Sequence, residues 1–295
     1  MTSILPSGSP ITELQFPLVF DARDPEGHKW TFGSVGILGG SSGMTGAVIL
    51  AGRAALKSGA GKVYLALTQT PKPVAYDSLN PEMMLHDAHA LLEKPATMDA
   101  WVAGCGLGLA PAALNLLRLL LSARAERPLV LDADALNALA QGDISNTWGR
   151  GLVVLTPHPA EAARLLQTDT QTIQADRPGA AQKLAHAYHA WIVLKGARTI
   201  VCSPSGVWQI NTSGNVGLAT GGTGDVLSGL LGSLLAQGIP AEQAIPGAVW
   251  LHGAAADALV EQGRGPIGLT AGELPQAIRD LRNRVSFKKD TTKPL

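Results

Sequence analysis

Short apolar runs rich in β-branched residues alternate along this chain with longer segments whose apolar residues recur at helical spacing. The short runs predict strands, at 34–38, 62–67, 100–103, 129–131, 152–156, 191–195 and 199–202. The longer segments predict helices, at 47–58, 111–125, 160–166, 177–188, 226–237 and 241–261. Strands that alternate with helices are typical of βαβ units. The chain is therefore predicted to have an α/β fold built around a mostly parallel sheet.

The length of 295 residues allows either one large α/β domain or two modest ones. Because nothing inside the sequence forces a division, we expect a single domain over residues 1–295. The segment 284–295 is polar, basic and rich in threonine and lysine towards its end. It is predicted to be a flexible tail.

The composition argues against nucleic acid as a partner. Lysine and arginine together number 23, as do aspartate and glutamate, so the chain has no net charge to attract a polyanion. Aromatic residues make up 4%, which argues against base-stacking platforms. The composition is that of a soluble globular protein.

Neither the cysteines nor the N-terminus suggests an exported or membrane protein. Cys105 and Cys202 are too few for a disulfide framework, and neither has the spacing of a metal ligand. Residues 1–20 lack the basic segment followed by an apolar core that marks a signal peptide. No apolar run approaches the ~18 residues of a membrane span. We therefore expect a cytoplasmic protein whose cysteines are small core residues.

Three predicted strands end directly in loops that are rich in glycine or polar residues. These loops are 39–43, 104–108 and 156–159. In open parallel sheets, ligands bind in the crevice at the carboxyl ends of the strands. The three loops are therefore expected to converge on one binding crevice.

The loop 214–225 is rich in glycine and ends at an acid, Asp225, just before an apolar periodic segment. Glycine lets backbone N–H groups approach a charged ligand, and the start of a helix favours an anion. One interpretation is that Gly222 and Gly224 flank an anion site and that Asp225 is a general base for phosphoryl transfer to a hydroxyl. The alternative is a tight turn in which Asp225 is an ordinary helix N-cap.

The segment Lys195–Thr199 links two predicted strands and has a cation near each end. The cations are suited to a nucleotide phosphate, and Gly196 allows close backbone approach. A hairpin turn with solvated charges is the competing interpretation.

His158 lies between two prolines where a strand gives way to a helix, with Glu161 in the first helical turn. A rigidly held histidine suits a ligand contact, whereas a device for starting the helix explains the same residues. Both interpretations stand on sequence alone.

Three further motifs have less specific patterns. The loop 39–47 has the composition of a phosphate loop but lacks the Gly-Lys-Ser/Thr ending of a Walker A motif. Asp132 and Asp134 follow a strand, where they are suited either to approach a Mg²⁺-nucleotide or to cap a helix. His252 lies in an amphipathic helix, which favours a buried, hydrogen-bonded histidine over a catalytic one.

Taken together, these segments resemble the NAD(P)H-hydrate dehydratase family, whose fold is the three-layer αβα fold of ribokinase-like kinases. The resemblance covers about residues 28–274. It is carried by 39–47, 53–61, 81–84, 104–108, 132–137, 157–161, 195–199, 214–229 and 251–253. GTGD alone, at 222–225, is shared by many ribokinase-like kinases, and the ordered set is much more specific.

The resemblance implies an enzyme that repairs the hydrated, inactive nicotinamide cofactors NADHX and NADPHX. Family members use a nucleotide to phosphorylate the added hydroxyl, and elimination of phosphate then restores the ring double bond. Bacterial-type members use ADP and eukaryotic ones ATP, and this sequence is similar to the bacterial type. The expected co-substrate is therefore ADP, or ATP, with Mg²⁺.

The matching motifs also imply roles for individual residues. Asp225 would be the catalytic base, with Gly222 and Gly224 holding the transferring phosphate. The implied nucleotide-binding residues are Lys195, Gly196, Ala197, Arg198, Thr199 and Gly224. The implied substrate-binding residues are Ala47, Gly106, Gly108, His158 and Asp225. No residue is assigned as a metal ligand.

The chain departs from the family pattern at one point, and the family suggests two kinds of partner. Many members have His-Lys-Gly where this chain has His28, Lys29 and Trp30, which puts close backbone approach at the third position in doubt. Some members carry a fused epimerase domain, and about 30 residues before the resemblance leave no room for one here. A separate epimerase and a homotetramer are therefore expected.

Two other functions are compatible with the loop at Asp225. A hydroxymethylpyrimidine or hydroxyethylthiazole kinase of the same fold would use the same acid but release a stable phosphorylated product. A non-catalytic nucleotide sensor is the third hypothesis, although a negative charge beside the phosphates is unfavourable for binding alone.

Overall fold

The computed structural model describes residues 7–94 and 97–290. Within these residues, one ten-stranded sheet has the order β1-β10-β9-β8-β7-β6-β5-β2-β3-β4. The strands are β1 Ser9–Pro10, β2 Ser34–Gly39, β3 Lys62–Leu67, β4 Met84–Asp87, β5 Ala100–Ala103, β6 Leu129–Leu131, β7 Val153–Leu155, β8 Trp191–Leu194, β9 Ile200–Cys202 and β10 Trp208–Ile210. The seven strands from β8 to β4 are parallel, whereas β9 is antiparallel to both its neighbours.

Helices cover both faces of the sheet. They are α1 Thr45–Lys57, α2 Ala88–Leu92, α3 Pro111–Ala123, α4 Asp134–Gln141, α5 Pro159–Leu165, α6 Thr170–Ala175, α7 Arg177–Tyr188, α8 Thr223–Ala236, α9 Ala241–Glu261 and α10 Leu274–Asp290. Side chains alternate between the faces along each strand, so Val102 packs in one core and its neighbours Trp101 and Ala103 in the other. One core contains α1, α8 and α9, and the other contains α3, α4 and α7. The expected three-layer αβα architecture is confirmed.

The segment 9–20 packs against the edge of the sheet and against α9, the longest helix of the described chain. β1 pairs with β10 at the edge of the sheet, and Phe16 and Phe20 lie 5.7 and 6.1 Å, between ring centroids, from Trp250 on α9. The apolar face of α9 is therefore covered by protein. Among the helices of the described residues, none is both long enough and apolar enough to cross a membrane.

The sequence predicts the seven buried strands and six of the helices, and it misses the less regular elements. β1, β4 and β10 are short strands near the sheet edges, and α2, α4 and α6 are short helices. α10 continues to Asp290, so residues 284–290 are helical rather than part of the predicted flexible tail. Its apolar residues recur at helical spacing, but the many charged residues between them make the segment polar on average. Residues 291–295 of that prediction lie outside the described residues.

The sequence departure at Trp30 falls on the surface. The Trp30 side chain is 60% exposed, and the Lys62 ammonium lies over its ring. Close approach occurs instead between the Lys29 carbonyl and Gly61, where a Cβ would collide with that oxygen. A large residue at position 30 therefore has room, and the requirement for glycine is at Gly61.

Candidate functional site

The loops that follow β2 and β5 are hydrogen-bonded to each other at the carboxyl edge of the sheet. The Gly40 N–H donates to the Cys105 carbonyl at 3.2 Å, and the Ser41 N–H donates to the Gly106 carbonyl at 2.7 Å. A Cβ at Gly39 would collide with the Cys105 carbonyl oxygen. The expected convergence of these two glycine-rich loops is therefore observed, and it depends on the missing side chain of Gly39.

Gly106 and Gly108 hold the β5 loop close to the start of α1. Gly106 has φ +58°, and a Cβ there would lie 2.7 Å from Met44 Cβ and 3.2 Å from Ala47 Cβ. The Gly108 N–H donates to Asp134 Oδ2 at 2.8 Å, which fixes the far end of the loop to the start of α4. Three of the predicted substrate-binding residues, Ala47, Gly106 and Gly108, thus lie in one loop cluster.

α8 begins three residues earlier than the sequence predicts. Gly222 is its N-cap in a left-handed conformation, with φ +92°, and Thr223, Gly224 and Asp225 form the first turn. No side chain caps this helix among the described residues. Asp225 is therefore not an N-cap, and the tight-turn alternative is wrong on this point. Backbone N–H groups in a first helical turn have no intrahelical partner, which suits them to bind an anion.

The Asp225 carboxyl has an unusual protonation equilibrium. Burial and the nearby Asp132 charge raise its pKa to about 6, against the opposing effects of the Cys105 thiol and the Lys195 ammonium. Cys105 and the two acids each place a side-chain atom within 4.8 Å of the others. A carboxyl group with a pKa of about 6 is a stronger base than an exposed aspartate, and it is still mostly ionised at neutral pH.

Lys195 forms an ion pair with Asp132 beneath the first turn of α8. Lys195 Nζ lies 2.6 Å from Asp132 Oδ1, and Ser228 Oγ donates to Asp132 Oδ2 at 2.8 Å. Burial disfavours both charges, yet their mutual attraction and hydrogen bonds lower the pKa of Asp132 and raise that of Lys195. β8 and β9 do form a hairpin around 195–199, but the Lys195 charge is paired rather than solvated.

A cavity of about 560 Å³ opens beside this ion pair. The predicted nucleotide-binding residues Lys195, Gly196, Ala197, Arg198, Thr199 and Gly224 all line it. The other walls come from 211–216 with Leu218 and Ala219, from Thr223 and Leu227 on α8, and from Val249, His252 and Gly253 on α9. Cavities of this size bind small molecules and cofactors. The cavity wall does not include the loop cluster of Ala47, Gly106 and Gly108, so the edge of the sheet offers two adjacent regions.

The part of the wall formed by 211–216 is held by an acid on α9. The Asp257 carboxylate accepts hydrogen bonds from the Gly214 N–H at 2.7 Å and from Asn215 Nδ2 at 2.8 Å. On the same helix, His252 Nε2 lies 2.9 Å from the Thr223 carbonyl, and burial lowers the histidine pKa to about 4. The expectation that His252 is a buried, hydrogen-bonded residue is confirmed.

His158 is the N-cap of α5. Its Nδ1 accepts hydrogen bonds from the Ala160 N–H at 3.1 Å and the Glu161 N–H at 3.3 Å, while Glu161 Oε2 accepts from the His158 N–H at 2.8 Å. Burial lowers the His158 pKa, which keeps Nδ1 free to accept. His158 therefore starts α5, as the second interpretation predicts. The ring is 47% exposed and remains accessible to a ligand.

Sequence reasoning missed several residues of the cavity wall. Val249 and Gly253 come from a helix whose apolar pattern carries no binding motif, and nothing in their spacing distinguishes them. The run Asn211-Thr212-Ser213-Gly214-Asn215 is small and polar, and it is the signal that would have identified the wall opposite Lys195.

Comparison with known proteins agrees with this arrangement. The profile of the NAD(P)H-hydrate dehydratase family matches residues 35–279. The ADP-dependent (S)-NAD(P)H-hydrate dehydratase of Neisseria meningitidis is 48% identical over 277 residues, covering 93% of each chain. The bifunctional NAD(P)H-hydrate repair enzyme Nnr of Moorella thermoacetica is 41% identical, and the alignment spans 89% of this chain and 52% of that protein.

Solved structures extend the comparison to the fold. The ADP/ATP-dependent NAD(P)H-hydrate dehydratase from Bacillus subtilis, co-crystallised with ATP and Mg²⁺, superposes with a TM-score of 0.83 at 31% identity, covering 95% of this chain and 99% of that one. A hydroxyethylthiazole kinase from Pyrococcus horikoshii has a TM-score of 0.59 at 18% identity, covering 87% and 89%, which is a likeness of fold alone. On the profile match and the identity to the Neisseria protein, the chain belongs to the NAD(P)H-hydrate dehydratase family.

Proposed function

We propose that this protein is an ADP-dependent NAD(P)H-hydrate dehydratase that returns (6S)-NADHX and NADPHX to NADH and NADPH. The proposal rests on the similarity to the Neisseria enzyme and on one observation, the Asp225 carboxyl in the first turn of α8 with its pKa raised to about 6. An acid of this kind beside an anion site is suited to add a phosphoryl group to a hydroxyl.

In the first chemical step, Asp225 accepts the proton of the substrate hydroxyl as that oxygen attacks the terminal phosphoryl group of the nucleotide. Gly222 and Gly224 bring backbone N–H groups to the transferring phosphate, and the Lys195 ammonium lies beside them: a Cβ at Gly224 would be 3.4 Å from Lys195 Nζ. Fixed donors at this point stabilise the charge that develops on the phosphoryl oxygens. The products are AMP and a phosphate ester of the hydrate.

In the second step, the bond between the ring carbon and the ester oxygen breaks, phosphate leaves, and loss of a ring proton restores the double bond. Phosphate is a far better leaving group than hydroxide, which is the chemical reason for phosphorylating the hydroxyl first. A kinase of the same fold would carry out the first step alone.

Each of the two regions of the site would bind one of the two ligands. The cavity lined by Lys195–Thr199 and Gly224 would hold the adenine nucleotide, with its phosphates towards the first turn of α8. The hydrated nicotinamide would lie against the loop cluster of Ala47, Gly106 and Gly108, with His158 at its side. Asp225 would then lie between the two ligands.

The described residues do not fit a protein-bound Mg²⁺ at this place. Cys105, Asp132 and Asp225 are the three potential ligands that lie together, but a thiol is a poor ligand for Mg²⁺, and both Asp132 oxygens already have partners. Mg²⁺ is commonly bound through substrate phosphates with several waters retained. We therefore propose that Mg²⁺ enters as part of the nucleotide complex.

Purified protein incubated with NADHX, ADP and Mg²⁺ tests the proposal. We expect reduced-nicotinamide absorbance to return with release of one phosphate and one AMP per NADH. Parallel incubations with ATP, and without nucleotide, establish the donor. Accumulation of a stable phosphorylated hydrate would indicate a kinase, and no change with either nucleotide would contradict both functions.

The activity should depend on pH through Asp225. Because the base must be ionised, and burial with the Asp132 charge raises its pKa to about 6, we expect kcat/KM for NADHX to fall as the pH drops through 6. An exposed aspartate would give a limb near pH 4. Initial rates between pH 5 and 8, with stability checked at each pH, measure the limb. A flat profile down to pH 5 would contradict the assignment.

Substitution of His158 separates its two roles. Asparagine is a good N-cap, so His158→Asn should keep α5 intact, whereas His158→Ala should cost about 1 kcal/mol of stability. If the ring contacts the substrate, both variants raise KM for NADHX and leave KM for ADP unchanged. Wild-type kinetics for His158→Asn would leave only the capping role.

The resemblance also supports three proposals beyond the chemistry: a homotetramer, a cytoplasmic location and a separate epimerase that interconverts the substrate epimers. Light scattering of the purified protein tests the first. The epimerase would be required for full repair of a mixture of epimers, so incomplete conversion of such a mixture by this protein alone is the expected result.

A further inference from the structure

Asp132 takes no direct part in the chemical steps above, and it is among the most buried charged side chains of the described chain, at 2% exposure. It directly follows β6, and its backbone N–H donates to the Ala103 carbonyl at 3.1 Å. A Cβ at Gly104 would collide with the Asp132 carbonyl oxygen, so the backbone here is closely enclosed. The orientation of this carboxylate is therefore fixed by its surroundings.

Both oxygens of Asp132 are engaged, and by different elements. Oδ1 accepts from Lys195 at the end of β8, and Oδ2 accepts from Ser228 on α8. The carboxylate thus joins the phosphate-binding hairpin to the helix that carries Asp225. Asp132 itself does not line the nucleotide cavity, whereas Lys195 does. The residue of the cavity wall that Asp132 contacts is Lys195.

A lysine side chain has four rotatable bonds and is a poorly oriented charge unless it is anchored. The pair with Asp132 holds the ammonium against the first turn of α8: a Cβ at Gly224 would lie 3.4 Å from Lys195 Nζ and 3.6 Å from Asp132 Oδ2. Phosphoryl transfer is catalysed largely by positioned charge. An anchor for this ammonium is therefore expected to act on the rate of phosphoryl transfer.

Asp132 also faces Asp225. The charged and titratable groups that act on the Asp225 carboxyl come from four elements: Asp132 after β6, Cys105 after β5, Lys195 after β8 and Asp134 on α4. After burial, the Asp132 charge is the largest of the effects that oppose ionisation of Asp225. Like charges in one site make the second acid a stronger base.

We propose that Asp132 is a positioning residue for phosphoryl transfer, which anchors the Lys195 ammonium at the first turn of α8 and holds a negative charge within 4.8 Å of the Asp225 carboxyl. The inference rests on the proposed dehydratase function for its kinetic consequences. Its electrostatic consequence can be measured without turnover.

The variant Asp132→Asn keeps the size of the side chain and removes its charge. At a pH well above the acid limb, we expect kcat to fall about ten- to a hundredfold through misplacement of Lys195. The Kd for ADP should change less than kcat, because removal of a negative charge near the phosphates offsets the misplacement of Lys195. The acid limb, and the pH titration of the Asp225 carboxyl ¹³C signal, should both move to lower pH by about one unit.

Ser228→Ala is the matched control. It removes the hydrogen bond to the other oxygen of Asp132 but keeps the charge and the pair with Lys195, so the Asp225 titration should stay where it is in the parent. A purely structural role of Asp132 would lower the melting temperature of Asp132→Asn and leave the titration unmoved. An unmoved titration, or a weakened Kd for ADP with kcat retained, would overturn the proposal.

Removing one partner of a buried pair is costly, so Asp132→Asn alone is at risk of failing to fold. In that event, Asp132→Asn/Lys195→Met, which leaves no unpaired buried charge, is compared with Lys195→Met. We expect Asp225 to titrate at lower pH in the double variant, and coincident titrations would refute the role of the Asp132 charge. Because the ¹³C titration needs no NADHX, failure of the parent to restore NADH would count against the dehydratase function alone.

Discussion

Asp225→Asn should lower kcat by about a thousandfold or more, since an amide cannot accept the hydroxyl proton and general base catalysis typically contributes 10²–10⁴. The Kd for ADP should stay within about threefold of the parent, because the cavity wall does not include this side chain. Single-turnover assays with NADHX and calorimetric titration with ADP measure the two quantities.

The same substitution should stabilise the protein. Burial and Asp132 raise the folded-state pKa of Asp225 from 3.8 to about 6. Because the folded protein binds this proton more tightly than the unfolded chain does, the acid contributes its full share of the free energy of unfolding below pH 3.8. That contribution is lost as the pH rises through 6, so at pH 8 the ionised carboxylate destabilises the folded state. Asparagine does not ionise, so no charge is buried in the variant. We expect its free energy of unfolding to be about 1–2 kcal/mol higher than that of the parent at pH 8.

A matched control comes from an acid outside the site. Asp280 on α10 is 57% exposed, and Asp280→Asn should leave both activity and stability close to the parent. If Asp225→Asn loses activity and gains stability, the Asp225 carboxylate is needed for catalysis and lowers the free energy of unfolding. Activity within a few fold of the parent would refute the general-base role, and it is the result expected of a nucleotide sensor.

The architecture could be predicted because buried parallel strands are nearly continuous apolar runs. β2 and β5 are fully buried and carry this signal clearly. β4 and β10 contain polar residues such as His86 and Gln209 near the edges of the sheet, where one face or one side is less enclosed. Their periodicity is therefore weak, and propensity alone does not identify strands of three or four residues.

The candidate site was predictable as a set of loops but not as a network of side chains. Glycine clusters mark the places where the backbone must come close, and this identified the loops around Gly106 and Gly222. The ion pair between Asp132 and Lys195 joins residues 63 positions apart, and their spacing gives no direction for either side chain. The start of α8 was missed because Gly224, in its first turn, is a poor helix former.

The contact between α1 and α8 explains why the two halves of the site keep their spacing, and a single methyl group should disrupt it. In α8, a Cβ at Gly229 would collide with the Ala51 carbonyl oxygen of α1. One turn further along both helices, Ser233 Oγ donates to the Ala55 carbonyl at 2.9 Å, so the backbones are held close there as well. α1 begins beside Ala47 and α8 begins beside Asp225, so their separation sets the distance from the substrate loops to the base.

Gly229→Ala should therefore lower the free energy of unfolding by about 3 kcal/mol, because backbone atoms cannot move aside as a flexible side chain would. Gly46→Ala, on α1, is the control: nothing lies within 4 Å of its Cβ position, and alanine should be neutral or stabilise by up to about 1 kcal/mol. Urea unfolding of both variants measures the difference. Where Gly229→Ala remains folded, we expect kcat to fall, because separation of the helices changes the distance from the substrate loops to Asp225. Equal stability of the two variants would show that the helices can move apart without cost, and that their contact does not fix the geometry of the site.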